Sequence, residues 1–181
     1  MNPTQLIKEC KSRNEKAFQE LIEGHSRLVF SVAFRILNDE NEAKDASQET
    51  FISVWMNIEK FDESRSFKSW LYKIVTNKCL DTLRRRKKSN LIYQDIDTWQ
   101  KMAIQSAENP EQKISNREIG TLISGMTEHL SDKQKVVFVL SELQELTHDE
   151  IVEITGLTKD SIKSNLNHAR RNIGKMLQKH L

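Results

Sequence analysis

Lys163, Ser164, Asn165, Asn167, His168, Arg170 and Arg171 fall on one side of a helical period. Together they supply hydrogen-bonding groups for base edges and cations for phosphates. The other side of the same period is apolar, with Ile162, Leu166, Ala169 and Ile173. No acidic residue follows Asp160, whereas a helix face that is merely solvated usually mixes Glu with Lys in spaced pairs. A polar helix face alone says little, so the missing carboxylates are what tip this one towards nucleic acid.

A second group has different chemistry. Phe67, Trp70 and Tyr72 are interleaved with Lys68 and Lys73, and Lys78 and Arg84-Arg85-Arg86-Lys87-Lys88 extend the charge. Aromatic faces stack unpaired bases, each worth about 1–3 kcal/mol, while the cations neutralise neighbouring phosphates. That gain is comparable with the cost of unstacking a base, so such a surface can hold a melted strand without nucleotide hydrolysis. The plainer reading makes Phe67, Trp70 and Leu71 core and the basic run a helix end favoured by the macrodipole. Phe67 reads as core on this basis, and Trp70 stays open between the two roles.

A third group, Asp45, Gln48 and Glu49 beside Phe51 and Trp55, carries the opposite charge. Paired carboxylates can be general acid and base. No nucleophile motif, Gly-rich phosphate loop, His or metal-ligand cluster accompanies them, so a partner-docking or solvated face is the better reading. His148-Asp149-Glu150 lacks the His-Glu-x-x-His spacing of a zinc site and reads as a helix start. The expectation is therefore no catalytic residue, no metal and no cofactor.

These groups need helices to hold them. Thr147-His148-Asp149-Glu150 has capping-box form, Ile151, Val152 and Ile154 give an apolar face, and Gly156 ends the helix; Thr158 then caps the next. The result is a helix-turn-helix over Leu146–Ile173. Upstream, Ser131-Asp132-Lys133-Gln134 opens another helix through Val136, Val137, Val139 and Leu140. Near the N-terminus, apolar residues at steps of three and four predict a helix from Asn14 to Leu37, with His25 a structural residue at the core edge. A polar turn, Asn38-Asp39-Glu40-Asn41, leads to a second helix over about Asn41–Ile58, and a third spans Phe67 to about Lys88. From Ser89 to about Arg117 the period fades around Asp95, Asp97 and Asn109-Pro110, which suggests a linker. Leu91, Ile92, Tyr93 and Trp99 are unusually apolar for one, so part of it is expected to dock.

Composition agrees. Five Gly and two Pro in 181 residues are few for an all-β chain, and the expected class is all-α, with two small helical domains joined by a linker. A net charge of +2 announces no polyanion binder by itself; distribution matters more. Cys10 and Cys79 have no metal or disulfide spacing, the longest apolar run is Val136–Leu140, and the N-terminus lacks a signal-peptide core. The expected location is cytoplasmic, without membrane insertion.

Three stretches, DASQETFISVW, FDESRSFKSWLYKIVTNKCLDTLRRRKK and LTHDEIVEITGLTKDSIKSNLNHARRNI, follow one another in the order and spacing of a known family. With them the chain resembles the extracytoplasmic-function sigma factors of bacterial RNA polymerase, over nearly its whole length. The resemblance implies sigma domain two in residues 1–88, a linker over 89–118, and sigma domain four in 119–181. It implies that Asp45, Gln48, Glu49 and Phe51 dock on the polymerase clamp, with the flap as a second contact. Phe61, Ser64, Arg65 and Ser66, with Trp70, Lys73 and Asn77, would capture the unwound −10 element, and Arg84, Arg85 and Arg86 would add phosphate contacts. Thr158, Lys163, Ser164, Asn165, Asn167, His168 and Arg171 would read the −35 element. Promoter DNA, core polymerase and an anti-sigma factor are the implied partners. Ala46 stands where the family usually has a bulky aliphatic, Ser161 where it often has Gly, and Asn165 and His168 where it often has Arg; these departures put the promoter sequence in doubt rather than DNA binding. The rival function is a conventional dimeric helix-turn-helix regulator acting on a palindrome without polymerase.

Overall fold

The computed structural model describes residues 2–94, 125–127 and 129–180, and every regular element among them is helical. The first, α1 (Pro3–Lys11), has no counterpart in the sequence reading. Asn2 caps it by accepting the Thr4 N–H, and Pro3 sits at its opening, where the missing N–H has no partner to lose.

The next helix, α2 (Glu15–Leu37), has the expected span. The Asn14 side chain accepts the Lys16 and Ala17 N–H groups at 3.1 and 3.3 Å, and Asn38 ends the helix in the left-handed conformation. Helix α3 (Glu40–Asn57) starts slightly before the expected residue because Asp39 takes the cap, accepting the Glu42 N–H at 2.8 Å. A single 3-10 turn, Ile58–Lys60, follows.

Helix α4 (Phe67–Gln94) corrects an expected boundary. The basic run resembles a C-terminal turn, but no Gly or Pro lies within this span to stop the helix, and it continues past Lys88 into the apolar residues. The remainder of the expected linker, with Trp99 and Asn109-Pro110, lies outside the described residues.

Helix α5 (Asp132–Phe138) opens on the Ser131–Gln134 capping box and runs into one wider π turn, Val139–Leu143. In α6 (His148–Thr155) both halves of the expected box form: Thr147 Oγ1 accepts the Glu150 N–H at 3.3 Å and the Glu150 carboxylate accepts the Thr147 N–H at 2.8 Å. Gly156 then turns with φ 71°, and α7 (Lys159–His180) follows.

Two groups of helices bury apolar stripes. In the first, Val29, Val32 and Ile36 of α2 meet Ala43 and Val54 of α3 and Leu71 and Val75 of α4; in the second, Val137, Leu140, Ile151, Ile162 and Leu166 are enclosed by α5–α7. Each fully buried aliphatic contributes about 1.5–3 kcal/mol. The expected pair of units is present, but their cores are continuous and α6 lies against α4. Tyr72, 2% exposed, donates its hydroxyl to the Gln144 Oε1 at 3.0 Å. Arg35 donates to the Leu143 carbonyl at 2.6 Å, and Lys87 pairs with Asp132 at 2.6 Å. The hydrophobic period gives each unit its buried face without saying whether the two faces join.

Candidate nucleic-acid interface

The helix-turn-helix is built from its caps. Thr158 Oγ1 accepts the Ser161 N–H at 3.2 Å, Leu157 is half-buried in the turn, and Ile162, Leu166, Ala169 and Ile173 anchor α7 on α5 and α6. This fixes the opposite side outward. Lys163, Ser164, Asn167, His168 and Arg171 are exposed, and no partner within the chain holds them among the described residues. Asn165 differs: it is half-buried and donates to the Ser161 carbonyl at 2.7 Å, so its amide is turned back onto its own helix. Arg170 pairs with Glu142 at 2.7 Å. Thr158 is exposed but already occupied as a cap.

The second expected surface is divided. Ser64, Arg65 and Ser66 are exposed on the loop before α4, and Lys73 and Asn77 are exposed on its first turns. Phe61 is not: it is 6% exposed, its ring 5.0 Å from Trp70 and 5.6 Å from Phe67. Its expected DNA contact is thus replaced by an anchoring role, because a loop aromatic gains more from burial against two rings than from water. Trp70 is half-buried in the same cluster, with one side against Phe61 and Phe67. His25 closes it, edge-on to Phe67 at 5.3 Å with Nδ1–H donating to the Leu21 carbonyl at 2.9 Å, the structural role expected.

The basic run of α4 is largely engaged within the chain. Arg84 pairs with Asp81 at 2.8 Å and Arg85 reaches Glu49 at 3.9 Å. Arg86 ion-pairs with Glu42, whose Oε2 is buried, and donates to the Leu37 carbonyl at 3.0 Å. It thereby joins the end of α2, the start of α3 and the middle of α4. Arg86 is half-buried and corrects the expectation of three phosphate-facing arginines; the Glu42 partner, 44 residues away, has no local sequence signal.

On α3, Asp45 and Gln48 are exposed, while Glu49 is half-buried and leans on Lys78 at 3.5 Å. Phe51 is 8% exposed, so the expected contact residue is instead the floor of an apolar groove with Phe18, Ile22 and Trp55. Two residues beside it escaped the sequence reading. Ile52 and Met56 are 58% and 66% exposed, large apolar side chains on the same stripe as Gln48. The 48–52–56 spacing was the available signal.

Burial and hydrogen bonding set the ionisation here. Burial pushes the Cys79 thiol up to about 12. The Thr147 N–H and then its hydroxyl hold Glu150 below the usual carboxylate value, as Ser64 does for Asp62.

Comparison with known proteins agrees in both units. Residues 21–89 match the family described as Sigma-70 region 2, and residues 121–173 match Sigma-70, region 4. The chain is 28% identical over 177 residues to the ECF RNA polymerase sigma factor SigW of Bacillus subtilis, covering 95% of each. It is 25% identical over 179 residues to the RNA polymerase sigma-H factor of Pseudomonas aeruginosa, covering 96% of this chain and 93% of that one. In structure it is similar to CnrH, solved in complex with the cytosolic domain of CnrY, with a TM-score of 0.70, 21% identity and 97% of both chains covered. A TM-score of 0.70 with 22% identity relates it to the sigma factor RpoE of Bartonella quintana, solved in complex with the anti-sigma factor NepR, over 90% of this chain and 98% of that one.

Proposed function

The chain belongs to the sigma-70 family as an RNA polymerase sigma factor of the extracytoplasmic-function type, and from that premise we propose how its surfaces divide promoter recognition. Helix α7 reads the −35 element from the major groove through Lys163, Ser164, Asn167, His168 and Arg171, with Asn165 reaching a base only if its amide leaves Ser161. Thr158 keeps the start of α7 in place. Ser64, Arg65 and Ser66, with Lys73 and Asn77, hold the unwound −10 strand beside the exposed side of Trp70. Arg84 and Arg85 follow the phosphates, which position the strand without specifying it. Asp45, Gln48 and Glu49, extended by Ile52 and Met56, dock on the clamp of core polymerase, and the second unit takes the flap.

The first domain runs through Gln94, and the second begins before α5, with the linker between. The observation that carries the reading is that Lys163, Ser164, Asn167, His168 and Arg171 are exposed on α7 without a partner among the described residues, on a helix whose other side is buried. The relative solved with the anti-sigma factor NepR supports an anti-sigma factor as a further partner. The reading gives the chain no catalytic step and a cytoplasmic place of work; no described helix is long and apolar enough to cross a membrane.

Purified chain added to core polymerase is expected to yield transcripts starting at defined promoters. Transcription no better than core alone, with tight palindrome binding by a dimer, contradicts the proposal.

A further inference from the structure

The loop from Ile58 to Ser66 is held at both faces, and one of its supports comes from a part of the chain outside both families matched. Phe61 pins its inner side between Phe67 and Trp70. Asp62 orders its tip, accepting the Ser64 N–H at 3.0 Å and the Ser64 hydroxyl at 2.7 Å. The outer side is tied to the N-terminal segment. Lys11, the last residue of α1, donates to Glu63 at 2.9 Å. Arg13 donates to Glu59 at 2.6 Å and to the Trp55 carbonyl at 2.6 Å, with its guanidinium 5.0 Å above the Trp55 ring. Arg13 also has φ 60°, a left-handed conformation that residues with a Cβ seldom adopt. The backbone there is bent so that this side chain reaches α3 and the loop together.

We infer that Lys11 and Arg13 are positioning residues that brace the Ile58–Ser66 loop for selecting bases of the unpaired −10 strand. The inference rests on reading that loop as the strand-capturing element. The physical reason is order before binding. A loop that discriminates bases by hydrogen bonds must present Ser64, Arg65 and Ser66 in one geometry, because a loop free to rearrange accommodates the wrong base as readily as the right one. A loop already ordered also loses less freedom when the strand arrives. Trp55 carries the brace inward as well: its carbonyl lies in the last turn of α3 and accepts from Arg13. The Lys11 bond holds the Glu63 carboxyl below its ordinary value, as an ammonium donating to a carboxylate does.

The test uses full-length chain with the core polymerase of its source organism, on a promoter fragment selected from a random-sequence library by the wild-type holoenzyme. Initiation from that fragment is divided by initiation from the same fragment with the bases of its melted segment substituted. This ratio is insensitive to the fraction of folded chain, which scales both terms alike. Arg13→Ala should lower the ratio about tenfold and Lys11→Glu about threefold, with affinity for core polymerase unchanged. The double variant Lys11→Glu with Glu63→Lys should restore most of the Lys11→Glu loss, which a general loss of stability would not do. Ser64→Ala and Arg65→Ala report on the loop itself. If they lower the ratio while the Arg13 and Lys11 variants leave it at the wild-type value, the brace is wrong and the loop reading stands. If none of the four changes it, the loop does not select bases and the inference falls with that reading.

Discussion

Arg84, Arg85, Arg86 and Lys87 of α4 each meet a carboxylate of the same chain, whereas Lys163, His168 and Arg171 of α7 meet none among the described residues. In sequence the two groups look alike. Their surroundings separate them, and the separation is graded. Exposed pairs are worth about 0.2–1 kcal/mol, so Arg84–Asp81 and Arg85–Glu49 can be exchanged for a phosphate at little cost. Arg86 and Glu42 are each only about one-third exposed, and Arg86 also donates to the helix-end carbonyl of Leu37, so that contact is kept. A basic residue is free for a polyanion when the fold has not already used it. Lys163, His168 and Arg171 of α7 are left unspent among the described residues, although Lys159 and Arg170 of the same helix pair with Asp149 and Glu142. Helix α4 uses Arg86 and Lys87 to hold three helices and the second unit.

Ways to break this contrast follow in order of size. Arg86→Ala removes a charge-assisted bond and leaves buried oxygens without a donor, so thermal or denaturant unfolding should show a loss of about 2 kcal/mol. A change within error would put Arg86 among the solvated cations. Tyr72→Phe removes the hydroxyl that joins α4 to Gln144, and the same measurement should show a loss of about 1 kcal/mol. No change would mean that this hydroxyl adds nothing to the joint, which would then rest on the apolar contacts with the Arg35–Leu143 and Lys87–Asp132 contacts.

Glu150→Gln gives the smallest effect and a distinctive pH dependence. Folding lowers the pKa of Glu150 from its ordinary 4.5, so its contribution is complete above that pH and is lost as pH falls below it. The variant keeps a capping side chain. The stability gap between the two proteins, within about 0.5 kcal/mol at neutral pH, should therefore narrow on acidification. A gap that widens in acid would reverse the sign of the capping interaction.

The contrast also shows what a single sequence carries. Local signals were legible: Asn14 as the start of α2, the capping boxes at Ser131 and Thr147, and the turn at Gly156 all bond within a few residues of themselves. The Asn2-Pro3 opening of α1 is a signal of the same local kind, but the helix it starts is short and weakly apolar. The basic run ending at Lys88 looks like a last turn because cations favour a helix C-terminus, although no Gly or Pro there stops α4. Phe51 and Phe61 show the other limit. Their positions in the motifs were evident, but whether a ring points out to a partner or in against its neighbours depends on elements distant in sequence. The pairing of Arg86 with Glu42 and of Lys87 with Asp132 is equally non-local, so the candidate site was found as stretches while the availability of each charge was not.

The salt dependence of promoter binding by the holoenzyme tests this account most directly, because each phosphate contact adds about 0.9 to the slope of log affinity against log salt. Lys163→Ala and Arg171→Ala should each lower the slope by about that amount, while Arg86→Ala should leave it unchanged in protein that is fully folded. A slope lowered by Arg86→Ala and untouched by both α7 variants would contradict the account.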